Sequence, residues 1–202
     1  AEFVRDNALA VSGLLNARIG GESARPYQPP GYYRELNFPK RTYKQHNDDN
    51  QYRRGVYMHW QRSFLHPMLM AFDAPAREEC TASRESSNTP QQALNLLNDP
   101  SFVEAARVLA EQLTGDSRPF AERLETGFQK LLQRPPYPEE AKLLKDLYDR
   151  QLKRYLKSPE DANALLKVGL KPAGKEANPM DLAAFTAVTR ALLNLHETIT
   201  RY

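Results

Sequence analysis

The chain has 202 residues, of which 41% are hydrophobic and 26% are charged, and its formal net charge is +3. These values are typical of one large or two small globular domains and exclude a disordered or fibrous chain. No stretch approaches the roughly 18 consecutive apolar residues of a membrane-spanning helix. The single cysteine, Cys80, excludes an internal disulfide and a cysteine-rich zinc site.

The N-terminal residues predict a helix over 2–16, with Phe3, Leu9 and Leu14 among its apolar positions and the Gly20-Gly21 pair as its end. No capping residue precedes this helix, and a basic stretch followed by an apolar one, as in a signal peptide, is absent. We therefore expect the chain to begin inside a longer polypeptide.

Residues 21–53 predict an extended irregular segment, because prolines and polar turn residues interrupt every regular pattern. A short strand near 32–37 is the one regular element expected there. Residues 54–65 fit a helix through Val56, Tyr57, Trp60 and Phe64. The alternation of apolar residues in 54–65 also fits a strand, but we favour the helix because charged and polar positions fall on its other face.

From residue 88 onward the pattern is helical. A capping residue followed by proline occurs four times, an arrangement that starts helices because proline needs no N–H at the first helical position. These pairs are Thr89-Pro90, Asp99-Pro100, Ser158-Pro159 and Asn178-Pro179. Gln92, Asp161 and Asp181 lie three residues after three of the capping residues and predict capping boxes.

The apolar periodicity that follows predicts several amphipathic helices, each with one stripe that must pack against neighbours. These helices cover residues 100–113, 118–133, 138–157 and 179–200, and residues 169–178 form an exposed linker. The predicted fold is mainly α: a single irregular multi-helix domain over 1–202, with a bundle-like part over 88–202. A long N-terminal loop region and little or no β structure complete it.

One stretch concentrates cationic and aromatic side chains. Residues 24–62, the basic aromatic segment, contain eight lysines and arginines against three acidic residues, together with six tyrosines, Phe38 and Trp60. Cations can bind anionic groups and flat rings can stack on bases or sugar rings, which suggests a surface for a polyanion, a glycan rather than a nucleic acid. The simpler interpretation is that tyrosines attach an irregular loop to a helical core while the charges are solvated.

A second stretch, residues 72–99, is rich in side chains that can pair with one another. Such a network either shapes a site or fixes the path of an irregular chain, and we favour the second role. Cys80 lies within it and is predicted to be buried and inert, since no histidine spacing places a base beside it. The four histidines show no zinc-ligand spacing, and phosphate-loop, dinucleotide, nucleophile-elbow and haem-attachment motifs are absent. No metal or cofactor is therefore assigned to this chain.

Several longer motifs follow one another along the chain. They are Arg5-Asp6 with Ser12-Gly13, Tyr52-Arg53-Arg54-Gly55-Val56-Tyr57, Trp60-Gln61-Arg62, Phe72-Asp73-Ala74-Pro75, Arg77-Glu78, Asn88-Thr89-Pro90, Leu96-Leu97-Asn98-Asp99-Pro100 and Thr186-Ala187-Val188. Together they resemble the C-terminal domain of unknown function of large exported planctomycete proteins that often carry a cytochrome c-like domain. The resemblance implies an extracytoplasmic location, and it implies that any c-type haem belongs to a separate domain of the parent protein.

Two functional hypotheses follow. The first is a binding or scaffolding domain that contacts another domain of its parent protein or an anionic glycan. Its candidate ligand-binding residues are Arg53, Arg54, Trp60, Arg62, Arg77, Arg84 and Asn88. The alternative is a carbohydrate-active hydrolase that uses carboxylates among Asp73, Glu78 and Glu79 as acid and base.

Overall fold

The computed structural model describes residues 1–35, 42–61, 64–76, 80–115, 118–174 and 178–200. These ranges contain nine α-helices, three short 3-10 turns and isolated bridge pairs but no strand, which confirms the predicted mainly α fold. The helices are α1 (Glu2–Val11), α2 (Pro67–Ala71), α3 (Pro90–Asn98), α4 (Pro100–Thr114), α5 (Phe120–Leu132), α6 (Pro138–Lys157), α7 (Pro159–Leu166), α8 (Pro179–Leu193) and α9 (His196–Ile199). None of them combines the length and apolar composition of a bilayer-spanning segment.

All four predicted cap–proline pairs start helices, namely α3, α4, α7 and α8. The capping box of α3 is confirmed, because Thr89 and Gln92 each bond the other's backbone N–H. The two boxes predicted with aspartate are wrong. Asp161 pairs with Arg154 instead, and Asp181 bonds side chains of other helices, because the short aspartate side chain is better placed for these partners than for the cap N–H.

Helix α1 ends earlier than predicted, at Val11 rather than at residue 16. Gly13 adopts a left-handed φ of +74° and donates its N–H to the carbonyl of Ala10, while Leu14 donates to that of Leu9. This pair of bonds is the Schellman motif that closes helices when glycine follows the capping residue. The motif around Gly13 therefore ends the helix, before Gly20-Gly21 is reached.

The helix predicted over residues 54–65 is wrong. Within it the described residues form one 3-10 turn, Gly55–Tyr57, followed by isolated bridge positions at Met58, Gln61 and Phe64. Ala24 pairs with this stretch: its N–H donates to the carbonyl of Tyr57, and its own carbonyl accepts from the N–H of His59. These bonds between neighbouring segments replace the bonds of a helix. The strand expected near 32–37 is likewise a 3-10 turn over Tyr32–Glu35, and the residues after it lie outside the described ranges.

Helix α8 is the central element of the helical part. It packs against α4, α6 and α7, and the residues Ala183, Ala184, Phe185 and Val188 are fully buried. A second apolar cluster joins α1, α2, α3 and the first half of α4, and it includes Tyr52, Met58 and Leu65 from the irregular part of the chain. Helix α4 contributes to both clusters, so it connects the two halves of the molecule.

A buried carboxylate on α4 anchors the irregular N-terminal part. Glu104 is fully buried, and its oxygens accept hydrogen bonds from the hydroxyls of Tyr27, at 2.9 Å, and Tyr52, at 2.7 Å. A third bond comes from the backbone N–H of Lys171, at 2.8 Å. Burial, reinforced by the Glu104 charge, raises the pKa of both tyrosines well above the usual range, so both remain donors.

The same face of α4 holds the loop before α8. Arg107 is fully buried, donates to the carbonyl of Lys171 and pairs with Glu111 at 2.5 Å, while Glu111 accepts from the N–H of Gly174. Glu104, Arg107 and Glu111 follow the i, i+3, i+7 spacing that places residues on one helical face. The loop is therefore tied to α4 through the backbone of Lys171 and Gly174. Its residues Lys171, Pro172, Gly174 and Asn178 are exposed, as predicted for a linker over 169–178, and residues 175–177 lie outside the described ranges.

His66 provides a further anchor for Tyr27. Its Nε2 lies 2.7 Å from the carbonyl of Tyr27, and its Nδ1 accepts the N–H of Met68 at the start of α2. These two bonds require a neutral ring with its proton on Nε2. Burial lowers the pKa of His66 to about 4, against an ordinary value of about 6.5.

We predict that Gly169→Ala destabilises the fold by roughly 3 kcal/mol, because a side chain there combines backbone strain with overlap. Gly169 has a left-handed φ of +99°, and an added Cβ would lie 2.2 Å from Cδ of Glu104. The measurement is the free energy of urea unfolding.

Two control variants separate these causes. Gly20 has a φ of +76° with open space around it, so Gly20→Ala carries the strain alone, at about 1 kcal/mol. Gly174 has neither constraint and its alanine variant should unfold like the parent protein. Equal unfolding energies for the Gly169 and Gly20 variants would show that the backbone around Glu104 is not held as described.

We predict that stability falls as the pH drops from about 6.5 to about 4, with His66 contributing up to roughly 3 kcal/mol of the loss. In this window the unfolded chain binds a proton at His66 and the folded chain does not, so protonation favours unfolding. His66→Asn keeps an acceptor for the N–H of Met68 but does not titrate in this window. Unfolding energies measured across the window should therefore vary less steeply for the variant. Identical slopes would contradict a neutral, buried His66.

Candidate functional site

The predicted site residues fall into two groups. Arg62, Arg77, Glu78 and Glu79 lie outside the described residues. The others are Arg53, Arg54, Trp60, Asp73, Arg84 and Asn88, and the structure places them in different environments.

Arg53 is buried and acts as a structural tie. Its side chain is 1% exposed, and its guanidinium donates to the backbone carbonyls of Glu22 and Gly20, both at 2.5 Å, and of Arg18 at 3.3 Å. The same group stacks on the ring of Tyr57 at 4.1 Å from the ring centroid. With its donors directed at the protein's own backbone, Arg53 holds segment 18–22 rather than presenting its charge to a ligand.

Arg5 continues this tie into α1. It is also 1% exposed, and it donates to the backbone carbonyls of Arg53, at 2.8 Å, and Gln51, at 2.5 Å. Two buried arginines thus act in series: Arg5 joins α1 to residues 51–53, and Arg53 joins that stretch to residues 18–22. By contrast, Arg54 is exposed and Trp60 is half-buried beside the apolar cluster of α1 to α4.

Asp73 fixes the path of the chain before α3. Its carboxylate accepts the N–H and the hydroxyl of Ser87 at 2.8–2.9 Å and the amide of Gln92 at 3.3 Å. The bonds from Ser87 lower the pKa of Asp73 below its usual range, so it is ionised at neutral pH. This supports the path-fixing role preferred for residues 72–99 and leaves Asp73 without the raised pKa expected of a general acid.

The rest of residues 80–88 is on the surface. Arg84 pairs with Glu2 at 2.7 Å, and Asn88 is exposed. Cys80 is exposed as well, which corrects the prediction that it is buried: the segment crosses the surface and brings no core element over the thiol. In the described ranges, histidine, cysteine and acidic side chains form no group of three or more that could hold a metal ion.

The basic aromatic segment does form a pocket, at residues 28–34 and 42–47. This tyrosine pocket has a volume of about 520 Å³. The chain enters it through the Pro29-Pro30-Gly31 turn, where Arg34 donates its N–H to the carbonyl of Gly31 at 2.8 Å. Tyr27 precedes this turn, so its anchors, Glu104 and His66, also fix where the pocket begins.

The aromatic rings of the tyrosine pocket are held in place by packing and by their hydroxyls. Tyr33 contacts Tyr43 and Phe64 edge-on, with centroids 5.4 Å and 6.0 Å apart. The hydroxyl of Tyr43 donates to the carbonyl of Pro26 at 2.6 Å, and that of Tyr32 donates to Leu65 at 3.0 Å. Rings fixed in this way lose little conformational entropy when a ligand packs against them.

The charge of the tyrosine pocket is positive. Arg34 and Lys44 are both exposed, and the described lining contains no aspartate or glutamate. Amide side chains of Gln28, Gln45 and Asn47 add donors and acceptors. The combination of fixed rings, amides and two cations is suited to a polar ligand with acidic groups.

The sequence places Arg34 and Lys44 within the basic aromatic segment but does not single them out. The Glu104 and Arg107 pair was not predicted. A signal was available, since both are charged residues within α4, whose neighbours from Phe102 to Ala110 are otherwise almost all apolar. Charged residues within such an apolar stretch are expected to be buried together with their neighbours, and a buried charge requires hydrogen-bonding partners.

Comparison with known proteins identifies the family. The model of the family PSD1, described as a protein of unknown function (DUF1553), matches residues 1–148, which include α1 to α5 and both lining segments of the tyrosine pocket. No curated protein and no solved structure shows significant similarity to the chain. The matched region covers more than half of the sequence, so the chain belongs to the PSD1 family of proteins of unknown function (DUF1553).

Proposed function

We propose that this chain is a binding module whose tyrosine pocket recognises an acidic glycan. The observation that carries the proposal is the lining itself, in which two exposed cations flank fixed tyrosine rings and no acidic side chain is found among the described residues. A sulfated or carboxylated sugar presents both features that such a lining can use. Its charged groups pair with Arg34 and Lys44, and its ring packs against tyrosine.

The proposed ligand-binding residues therefore shift within the basic aromatic segment. Arg53 supports the fold, whereas Arg34 and Lys44 line the pocket and are exposed. Arg54 and Trp60 retain exposed surface and remain proposed secondary contacts. The hydrolase alternative has no comparable support, because the carboxylate of Asp73 is bound by Ser87 and Gln92.

The resemblance to exported planctomycete proteins adds two further proposals. We infer an extracytoplasmic location, where acidic polysaccharides of cell surfaces are accessible, and a role as one domain of a larger protein. In that setting the module would hold its parent protein on a glycan, with other domains of the parent as additional partners.

We predict that the protein binds dextran sulfate in low salt and binds neutral dextran far more weakly. Replacing both pocket cations, as Arg34→Ala with Lys44→Ala, should weaken dextran sulfate binding by about ten-fold or more, because charge-assisted contacts are lost. Calorimetric titration measures both affinities. Added salt should weaken the interaction, as it screens the exposed charges.

A matched control removes the same charge elsewhere. Lys142 and Lys153 are both exposed on α6, so the Lys142→Ala, Lys153→Ala variant changes the net charge equally and should retain the parent affinity. The proposal is wrong if the folded protein does not bind dextran sulfate, or if both double variants lose affinity equally. The latter result would indicate a diffuse charge effect without a site.

A further inference from the structure

A second pocket lies in the C-terminal part of the chain, between α7, the loop that follows it and the start of α8. Its volume is about 350 Å³. Leu166 and Leu182, 7% and 1% exposed, contribute to its lining, as do Leu170 and Pro179. We call it the lysine pocket, because Lys167 and Lys171 are the charged residues in its described lining.

The two lysines are available to a ligand. Both side chains are exposed and make no hydrogen bond or ion pair within the part of the chain that the structure describes. The described lining contains no carboxylate that could neutralise them, and Asn163 is its one amide. An apolar interior with two cations and one amide therefore offers an ionic contact and a hydrophobic one to the same molecule.

The wall of the lysine pocket is fixed before any ligand arrives. The N–H of Lys171 donates to Glu104, its carbonyl accepts from Arg107, and the N–H of Gly174 donates to Glu111 at 3.3 Å. Three side chains of α4 thus hold the loop from behind. A preformed wall reduces the entropy that binding must overcome.

The two α4 carboxylates behind this wall are used for this support. Glu104 also accepts two tyrosine hydroxyls, and Glu111 pairs with Arg107. Both carboxylates are thus engaged with groups of the protein itself, and the lysines are the charged groups that the described lining offers to a ligand. The backbone N–H groups of Lys171 and Gly174 are occupied, so recognition of an anion depends on the lysine side chains.

We propose that the lysine pocket binds a small amphipathic anion, a carboxylate attached to a hydrocarbon chain. The hydrocarbon packs against Leu166, Leu170 and Leu182, and the carboxylate pairs with Lys167 and Lys171. The volume lies within the range of ligand pockets, which are mostly apolar with a few placed polar groups. This site is separate from the tyrosine pocket and does not depend on glycan binding.

The test is a titration with octanoate and with octanol, which carries the same chain length without the charge. Leucine methyl resonances of the isotope-labelled full chain locate the binding site. Octanoate, kept below its micelle concentration, should shift the methyl signals of Leu166, Leu170 and Leu182, and octanol should bind at least about five-fold more weakly because it cannot pair with lysine. Absence of these shifts, or equal affinity for both compounds, would overturn the proposal.

Two variants with the same change in net charge complete the experiment. Lys167→Ala with Lys171→Ala should weaken octanoate binding by about five- to ten-fold while leaving octanol binding unchanged. The control pair Lys142→Ala, Lys153→Ala on α6 should leave both affinities unchanged. All four lysines are exposed, so circular dichroism of the variants should match that of the parent protein. An octanoate affinity that survives loss of Lys167 and Lys171 would also contradict the assignment.

Discussion

The arrangement of this protein depends on one buried carboxylate. A charge removed from water is strongly destabilising unless the protein supplies hydrogen bonds in place of the solvent. Glu104 is fully buried in α4, and its partners come from two distant parts of the chain: the hydroxyls of Tyr27 and Tyr52 and the backbone of Lys171. The hydrogen bonds to the Glu104 carboxylate therefore position both the irregular N-terminal part and the loop before α8 on the same helix.

The hydrogen bonds of Glu104 also fix the walls of both pockets. Tyr27 is held at its hydroxyl by Glu104 and at its carbonyl by His66, and the tyrosine pocket begins at the next residue. On the other side, Lys171 is held at its N–H by Glu104 and at its carbonyl by Arg107, and it lines the lysine pocket. An irregular segment can thus present fixed side chains, because its backbone is tied to a helix at defined points.

The helical part could be predicted from the sequence because its signals are local. The cap–proline pairs and the 3.6-residue apolar period determine where a helix starts and which face it buries, and α6 (Pro138–Lys157) was predicted with its observed bounds. The 54–65 segment has a similar apolar content, but its conformation is set by backbone bonds to Ala24, more than 30 residues earlier. Such non-local pairing leaves no periodic signature in either segment.

The candidate site was predictable in location but not in detail. The excess of cations and tyrosines pointed to residues 24–62, yet composition cannot distinguish Arg53, whose donors reach backbone carbonyls, from Arg34, which is exposed at a pocket. Whether an arginine is buried or exposed depends on which backbone carbonyls have no other hydrogen-bond donor in the folded chain. The matched family, of unknown function, covers residues 1–148 and so includes the tyrosine pocket but not the lysine pocket.

The most direct test of the central role of Glu104 is a double-mutant cycle with its two tyrosine partners. Glu104→Gln, the pair Tyr27→Phe with Tyr52→Phe, and their combination would be compared by urea unfolding at neutral pH. Because the hydroxyls and the carboxylate stabilise each other inside the protein, we expect a coupling free energy of about 1–3 kcal/mol between the two sets of changes. Changes that add without coupling would contradict the account, since they would show that the buried carboxylate does not hold the irregular N-terminal part on α4.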